Sequence, residues 1–136
     1  MAGSAELSVP KEHRLIAIVD DDELVREAIK GLMRSMGLAA EVFASGEEFL
    51  RSPHLSRVGC LVADVNMPGM SGFDLHHHVS ALSKRIPTIL ITAYPSDRSL
   101  ALGAGVLCYL AKPFSDDELL SCVCSALDQQ TNSKTE

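Results

Sequence analysis

Asp20, Asp21 and Asp22 follow one short apolar run directly, and Asp64 follows another, Cys60-Leu61-Val62-Ala63. Thr92 ends a third run, Thr88 to Thr92, and Lys112-Pro113 comes just after a fourth, Val106 to Leu110. Taken singly, each has an ordinary explanation. An acidic run is a solvated face or a helix start, an Asp before a Pro-Gly stretch is a turn residue, and a Thr closing a strand reflects β-propensity. Brought together, they have a chemistry. Carboxylates crowded into a cleft repel one another, and a divalent cation relieves the repulsion. Oxygen donors with room for retained waters suit Mg²⁺. Asp20 or Asp21, with Asp64, would coordinate the ion, and the backbone carbonyl of Asn66 is a further candidate ligand. With charge neutralised, a carboxylate can attack an anionic phosphoryl donor. Asp64 is the candidate nucleophile, since aspartyl phosphate is an established covalent form of carboxylate catalysis. Lys112 offers a cation and Thr92 a hydroxyl to the phosphoryl oxygens.

The elements that would bring these residues together alternate strictly. Leu15 to Val19 reads as a short buried strand. A helix follows with Val25, Ala28, Ile29, Leu32, Met33 and Met36 on one face, and Gly37 is placed to end it. Leu38 to Phe43 reads as a second strand. Ser45-Gly46-Glu47-Glu48 is a capping-box pattern that opens a short helix closed by Pro53. After the third strand and a turn-rich segment through Gly72, a helix carries Phe73, Leu75, Val79 and Leu82 to about Lys84. Thr88 to Thr92 is the fourth strand, Ser96 to Leu102 a short helix, and Val106 to Leu110 the fifth strand. Ser115-Asp116-Asp117-Glu118 caps a last helix with Leu119, Leu120, Val123 and Leu127 inward. Five strand–helix units imply an α/β fold with a parallel sheet covered on both faces. Right-handed crossovers favour a flavodoxin-like doubly wound sheet of order 2-1-3-4-5, whose ligands sit beyond the carboxyl ends of the strands. The domain spans 13–128, between a flexible N-terminal tail over 1–12 and a polar C-terminal tail over 129–136.

Composition narrows the function. At 136 residues the chain fits one domain, and at 46% hydrophobic but 4% aromatic its core must be aliphatic. A net charge of −6 with no long basic stretch excludes direct nucleic-acid binding and disfavours anionic membrane surfaces. No apolar run approaches a membrane span, and Met1 to Glu12 lacks a signal-peptide core. Cys60, Cys108, Cys122 and Cys124 lack metal-ligand spacing and read as reduced thiols of a cytoplasmic protein. His76-His77-His78 cannot converge on one ion from consecutive helical positions and reads as a partly solvated face.

Ile18-Val19-Asp20-Asp21-Asp22, Asp64-Val65-Asn66-Met67-Pro68-Gly69-Met70-Ser71-Gly72, Ile91-Thr92-Ala93 and Tyr109-Leu110-Ala111-Lys112-Pro113-Phe114 together resemble the receiver domain of bacterial two-component response regulators. The likeness is closest to receivers of LuxR/FixJ-type regulators and runs from about Arg14 to Leu127. It implies five strands and five helices. It implies Asp20 and Asp21 as the acidic pair holding Mg²⁺, and phosphorylation of Asp64 by a sensor histidine kinase or a small acyl phosphate. Lys112, Thr92 and Ala93 would contact the phosphate. Thr92 and Tyr109 would form the switch that biases the face of the fourth helix, fifth strand and last helix, which partners read. On this resemblance the chain is a signalling receiver that catalyses only its own phosphoryl transfer and dephosphorylation. It would act alone through a downstream protein partner or precede an output domain, with phosphorylation promoting a homodimer.

Two departures stand out. The stretch from Thr92 to Lys112 is about two residues short for the family, at the fourth helix, which puts the dimer mode in question. Tyr94-Pro95 replaces a more open loop. Competing chemistries fare worse. An aspartyl phosphohydrolase of the haloacid-dehalogenase type needs an acid two residues after its nucleophile, where this chain has Asn66. A calcium loop starting at Asp64 fails at Pro68 and at Leu75, its twelfth position. A receiver fold that signals without phosphorylation would not need Asp20, Asp21, Asp64, Thr92 and Lys112 together.

Overall fold

The computed structural model describes residues 15–82, 85–94, 102 and 104–135. Five parallel strands lie in the order β2-β1-β3-β4-β5. They are β1 (Leu15–Val19), β2 (Ala40–Phe43), β3 (Val58–Asp64), β4 (Thr88–Thr92) and β5 (Cys108–Ala111). Among the described residues the helices are α1 (Glu23–Ser35), α2 (Gly46–Leu50), α3 (Gly72–Ser80) and α4 (Asp116–Thr135). This is the flavodoxin-like order that the alternation predicts. The proposed tail over 1–12 and the short helix from Ser96, apart from Leu102, lie outside the described residues.

Every residue of β3 and β4 is buried, as a central parallel strand with helices on both faces requires. One layer packs Leu75, Val79 and Phe49 against Ala17, Leu61, Ala63 and Tyr109. The other packs Ile29, Met33, Leu119 and Val123 against Ile16, Ile18, Val62 and Ile89. At roughly 1.5–3 kcal/mol per fully buried aliphatic side chain, these two layers are the main stabilising contribution.

The helix signals hold where they were legible. Asp22 caps α1, with its side chain accepting from the Leu24 amide. Gly37, at φ 76°, turns the chain out of α1, and the Leu38 amide returns to the Met33 carbonyl. Ser115 and Glu118 form the reciprocal cap of α4 at 2.8 and 3.0 Å.

Several expected boundaries shift. The second strand begins at Ala40 and the fifth at Cys108, because parallel pairing, not apolar content, sets their extent. The third helix stops at Ser80 rather than near Lys84. The segment from Gln129, expected as a tail, continues α4 to Thr135, since a polar run can extend a helix already nucleated by its packed turns. Met36 and Ala28 are exposed rather than inward. Among the described residues no helix is long and apolar enough to cross a membrane.

Candidate functional site

The last rungs of the parallel ladder place the site. The Asp20 amide donates to the Phe43 carbonyl at 3.1 Å, the Val65 amide to Ile91 at 2.8 Å and the Lys112 amide to Thr92 at 2.8 Å. Each site residue is therefore fixed at or just past a strand's carboxyl end by the neighbouring strand.

The acidic run divides its labour. Asp20 is 2% exposed and points into the cleft, Asp21 is exposed at its mouth, and Asp22 caps α1. Carboxylate oxygens of Asp20, Asp21 and Asp64 lie within 4.8 Å of one another. The Lys112 ammonium sits 3.2 Å from Oδ1 of Asp64 and 3.7 Å from Oδ2 of Asp20. Oδ1 of Asp64, though buried, has no hydrogen bond among the described residues beyond this ion pair.

Three carboxylates thus face one ammonium. Burial pushes the Asp64 carboxyl above its ordinary range, and Lys112 pulls the other way. Burial likewise raises Asp20, opposed by the Asp22 amide and by Lys112. Burial works against the Lys112 charge, yet Asp20 and Asp64 together raise its pKa. An all-oxygen donor set carrying excess negative charge, with an incompletely paired buried oxygen at its centre, fits a hard divalent cation of the Mg²⁺ kind.

Thr92 is buried, and its hydroxyl is engaged on three sides. It donates to the Tyr94 carbonyl at 3.3 Å and accepts from the Tyr94 amide at 2.9 Å and from the Asn66 side-chain amide at 3.3 Å. Asn66 and Ala93 stand exposed at the cleft rim. Tyr109 does not reach this cluster. It points inward, 2% exposed, with its ring 6.2 Å from that of Phe73, and its hydroxyl finds no partner among the described residues.

The structure also shows supports that sequence reading did not assign. Arg26, one turn into α1, donates from Nη1 to the Asp20 carbonyl at 2.7 Å and ties the acidic loop to the helix. Gly72 opens α3 directly against the backbone after Asp64; a Cβ there would lie 2.7 Å from the Asp64 carbonyl oxygen and 2.9 Å from the Val65 Cα. Ser71 and Asp74 form a complete capping box that fixes this helix start. The pattern Ser-x-x-Asp was the available signal for that box. Among the three histidines, His76 is buried, not solvated, and its Nε2 lies 3.1 Å from the Ala104 carbonyl. His77 and His78 are exposed.

Comparison with known proteins gives the same picture. The family model described as the response regulator receiver domain matches residues 16–124. The response regulator protein TodT of Pseudomonas putida is 40% identical over 116 residues, covering 83% of this chain and 51% of TodT. The chain spans about half the length of the curated relatives it matches. The crystal structure of FixJ-N superposes with a TM-score of 0.76 at 32% identity, covering 84% of this chain and 94% of that one. The response regulator TrrA of Thermotoga maritima, in complex with Mg²⁺ and BeF, superposes with a TM-score of 0.75 at 29% identity, covering 83% and 98%.

Proposed function

The chain belongs to the response regulator receiver family, and from that premise we propose that it accepts a phosphoryl group on Asp64 from a sensor histidine kinase or a small acyl phosphate. The observation that supports this reading is the meeting of Asp64 with the Asp20 and Asp21 carboxylates and the Lys112 ammonium in one cleft. An oxygen of the Asp64 carboxylate attacks phosphorus. The bond from phosphorus to the donor nitrogen or oxygen breaks, and the leaving group departs with the electron pair. Lys112, already 3.2 Å from Asp64, stabilises charge on a phosphoryl oxygen. Asp20, Asp21, Asp64 and the Asn66 carbonyl would hold Mg²⁺. When bound, the ion supplies charge neutralisation between nucleophile and phosphoryl group.

Thr92 gives up its contacts with Tyr94 and Asn66 to bond the phosphoryl oxygen, and Ala93 contributes at the same rim. Because those new contacts exist in one state only, phosphorylation favours that state. Tyr109 then changes rotamer, and the face around β5 and α4 is altered for a downstream protein partner, an output domain or a second copy of the chain. In this reading the protein is a cytoplasmic signalling receiver whose catalysis is confined to its own phosphorylation and dephosphorylation.

The test is intact-mass spectrometry after incubation with acetyl phosphate and Mg²⁺. The expected result is one alkali-labile phosphoryl adduct that needs Mg²⁺ and is absent from Asp64→Asn. A folded protein that forms neither this adduct nor a beryllofluoride complex would refute the reading.

A further inference from the structure

Three of the four cysteines share one side of the sheet. Cys60 of β3, Cys108 of β5 and Cys122 of α4 belong to the layer packed by α1 and α4, while Cys124 faces solvent. Their accessibility is graded. Cys60 is sealed, Cys122 is 9% exposed, and Cys108 is half-buried at the start of β5, the edge strand. The Cys122 thiol and the Cys108 sulfur lie close enough to hydrogen-bond directly. They sit on different elements, a strand and the helix covering it, so a bond between them would join two parts of the fold that are otherwise held by packing alone.

We propose that Cys108 and Cys122 are a peroxide-oxidisable pair, joined on two-electron oxidation by a disulfide that staples β5 to α4. The Cys108 thiolate attacks a peroxide oxygen, the O–O bond breaks, and Cys108 becomes a sulfenic acid as hydroxide leaves. The Cys122 sulfur then attacks the sulfenic sulfur, and the hydroxyl leaves as water with the Cys122 proton. Two electrons pass from the pair of sulfurs to the peroxide.

The division of roles follows from the surroundings. Burial first, and the contact with Cys108 second, push the Cys122 thiol up to about 12, so it keeps its proton. The more accessible Cys108 is then the sulfur that meets oxidant. Cys60 is fully enclosed, and its thiol is raised far above the ordinary range by burial, so it stays out of the reaction. The staple would sit one residue before Tyr109 and on the strand that ends near Lys112, so it constrains the part of the sheet that carries both.

The full chain is treated with hydrogen peroxide, the remaining thiols are alkylated, and intact mass and proteolytic peptides are read. The expected product has lost two hydrogens, carries two fewer alkyl groups and yields a Cys108–Cys122 cross-linked peptide that dithiothreitol releases. Cys108→Ser and Cys122→Ser each abolish it; Cys60→Ser and Cys124→Ser do not. Circular dichroism confirms that each variant is folded, and Cys122→Ala replaces the serine variant if that one is not. The oxidised protein melts at a higher temperature than the reduced one. Oxidation confined to Cys124, a disulfide between chains, or a Cys108–Cys122 link formed only in denaturant would overturn the proposal.

Discussion

Replacing Gly72 by Ala tests how the phosphoacceptor cleft is built. A Cβ at this position would meet the Asp64 carbonyl oxygen at 2.7 Å, the Val65 Cα at 2.9 Å and the Asp64 carbonyl carbon at 3.1 Å. All three are backbone atoms in a strand end that is also bonded to β4, so no side chain can rotate away. Either α3 moves off the sheet or the Asp64–Val65 segment is pushed outward. Overpacking of this kind costs about 1–3 kcal/mol. For a domain of this size that lowers the melting temperature by roughly 3–10 °C. Gly31 is the matched control. It lies within α1, its Cβ would meet nothing within 4 Å, and Gly31→Ala removes a helix-interior glycine. That change stabilises by roughly 0.5–1 kcal/mol. Both variants are measured by urea and thermal unfolding and by the rate of adduct formation with acetyl phosphate. Gly72→Ala should lose stability and slow the adduct several-fold, while Gly31→Ala gains stability at an unchanged rate. A Gly72→Ala protein as stable and as reactive as the wild type would refute the claim that this close approach positions Asp64.

Three further outcomes follow from the same geometry. Asp20 and Asp64 have carboxyls raised on folding, so in Mg²⁺-free buffer the folded state binds protons more tightly than the unfolded chain and stability falls as pH rises through that interval. Asp64→Asn should therefore be more stable than wild type at neutral pH without Mg²⁺ and gain less from added Mg²⁺; a less stable variant in thermal melts contradicts this. Asn66→Ala removes one donor to the Thr92 hydroxyl, an interaction of about 0.5–1.5 kcal/mol, and should tighten beryllofluoride binding two- to tenfold. In a cycle with Thr92→Ala the effect of Asn66→Ala should vanish, and persistence of the full effect would assign it elsewhere. Ser71→Ala loses the reciprocal cap of α3 and should cost about 1 kcal/mol by urea unfolding, with no change signalling that the cap is redundant with packing.

Much of the site was legible because its members sit at strand ends. Parallel alternation puts all carboxyl ends on one edge, so Asp20, Asp64, Thr92 and Lys112 converge from topology before any side chain is placed. What the sequence did not disclose depends on phase and on loops. His76 lies on the stripe of Gly72, Leu75 and Val79, so its burial could have been read from helical spacing, but the run of three histidines masks that phase. Likewise Cys60 alternates with Val62, and Cys108 with Leu110, onto the α4 side of the sheet. The meeting of Cys108 with Cys122 still needs the position of α4 along the strands, which spacing does not give. The hydrogen bond from Asn66 to Thr92 joins two loops 26 residues apart and has no local signal. The extension of α4 to Thr135 runs against composition, because polar residues past Leu127 look like a chain end.

The inward Tyr109 has a consequence for how finely the two conformations are poised. A buried hydroxyl with no partner among the described residues leaves the resting arrangement handicapped by about 1–3 kcal/mol. Rotation to the surface would return that hydroxyl to water while losing the ring's packing beside Phe73. The two terms oppose each other, so the free-energy gap is narrower than ring burial alone would make it. A change of about 1–3 kcal/mol is roughly a 5- to 150-fold change in the ratio of the two forms. A domain held this near its tipping point needs only a few new contacts at the far end of β5 to redistribute its populations.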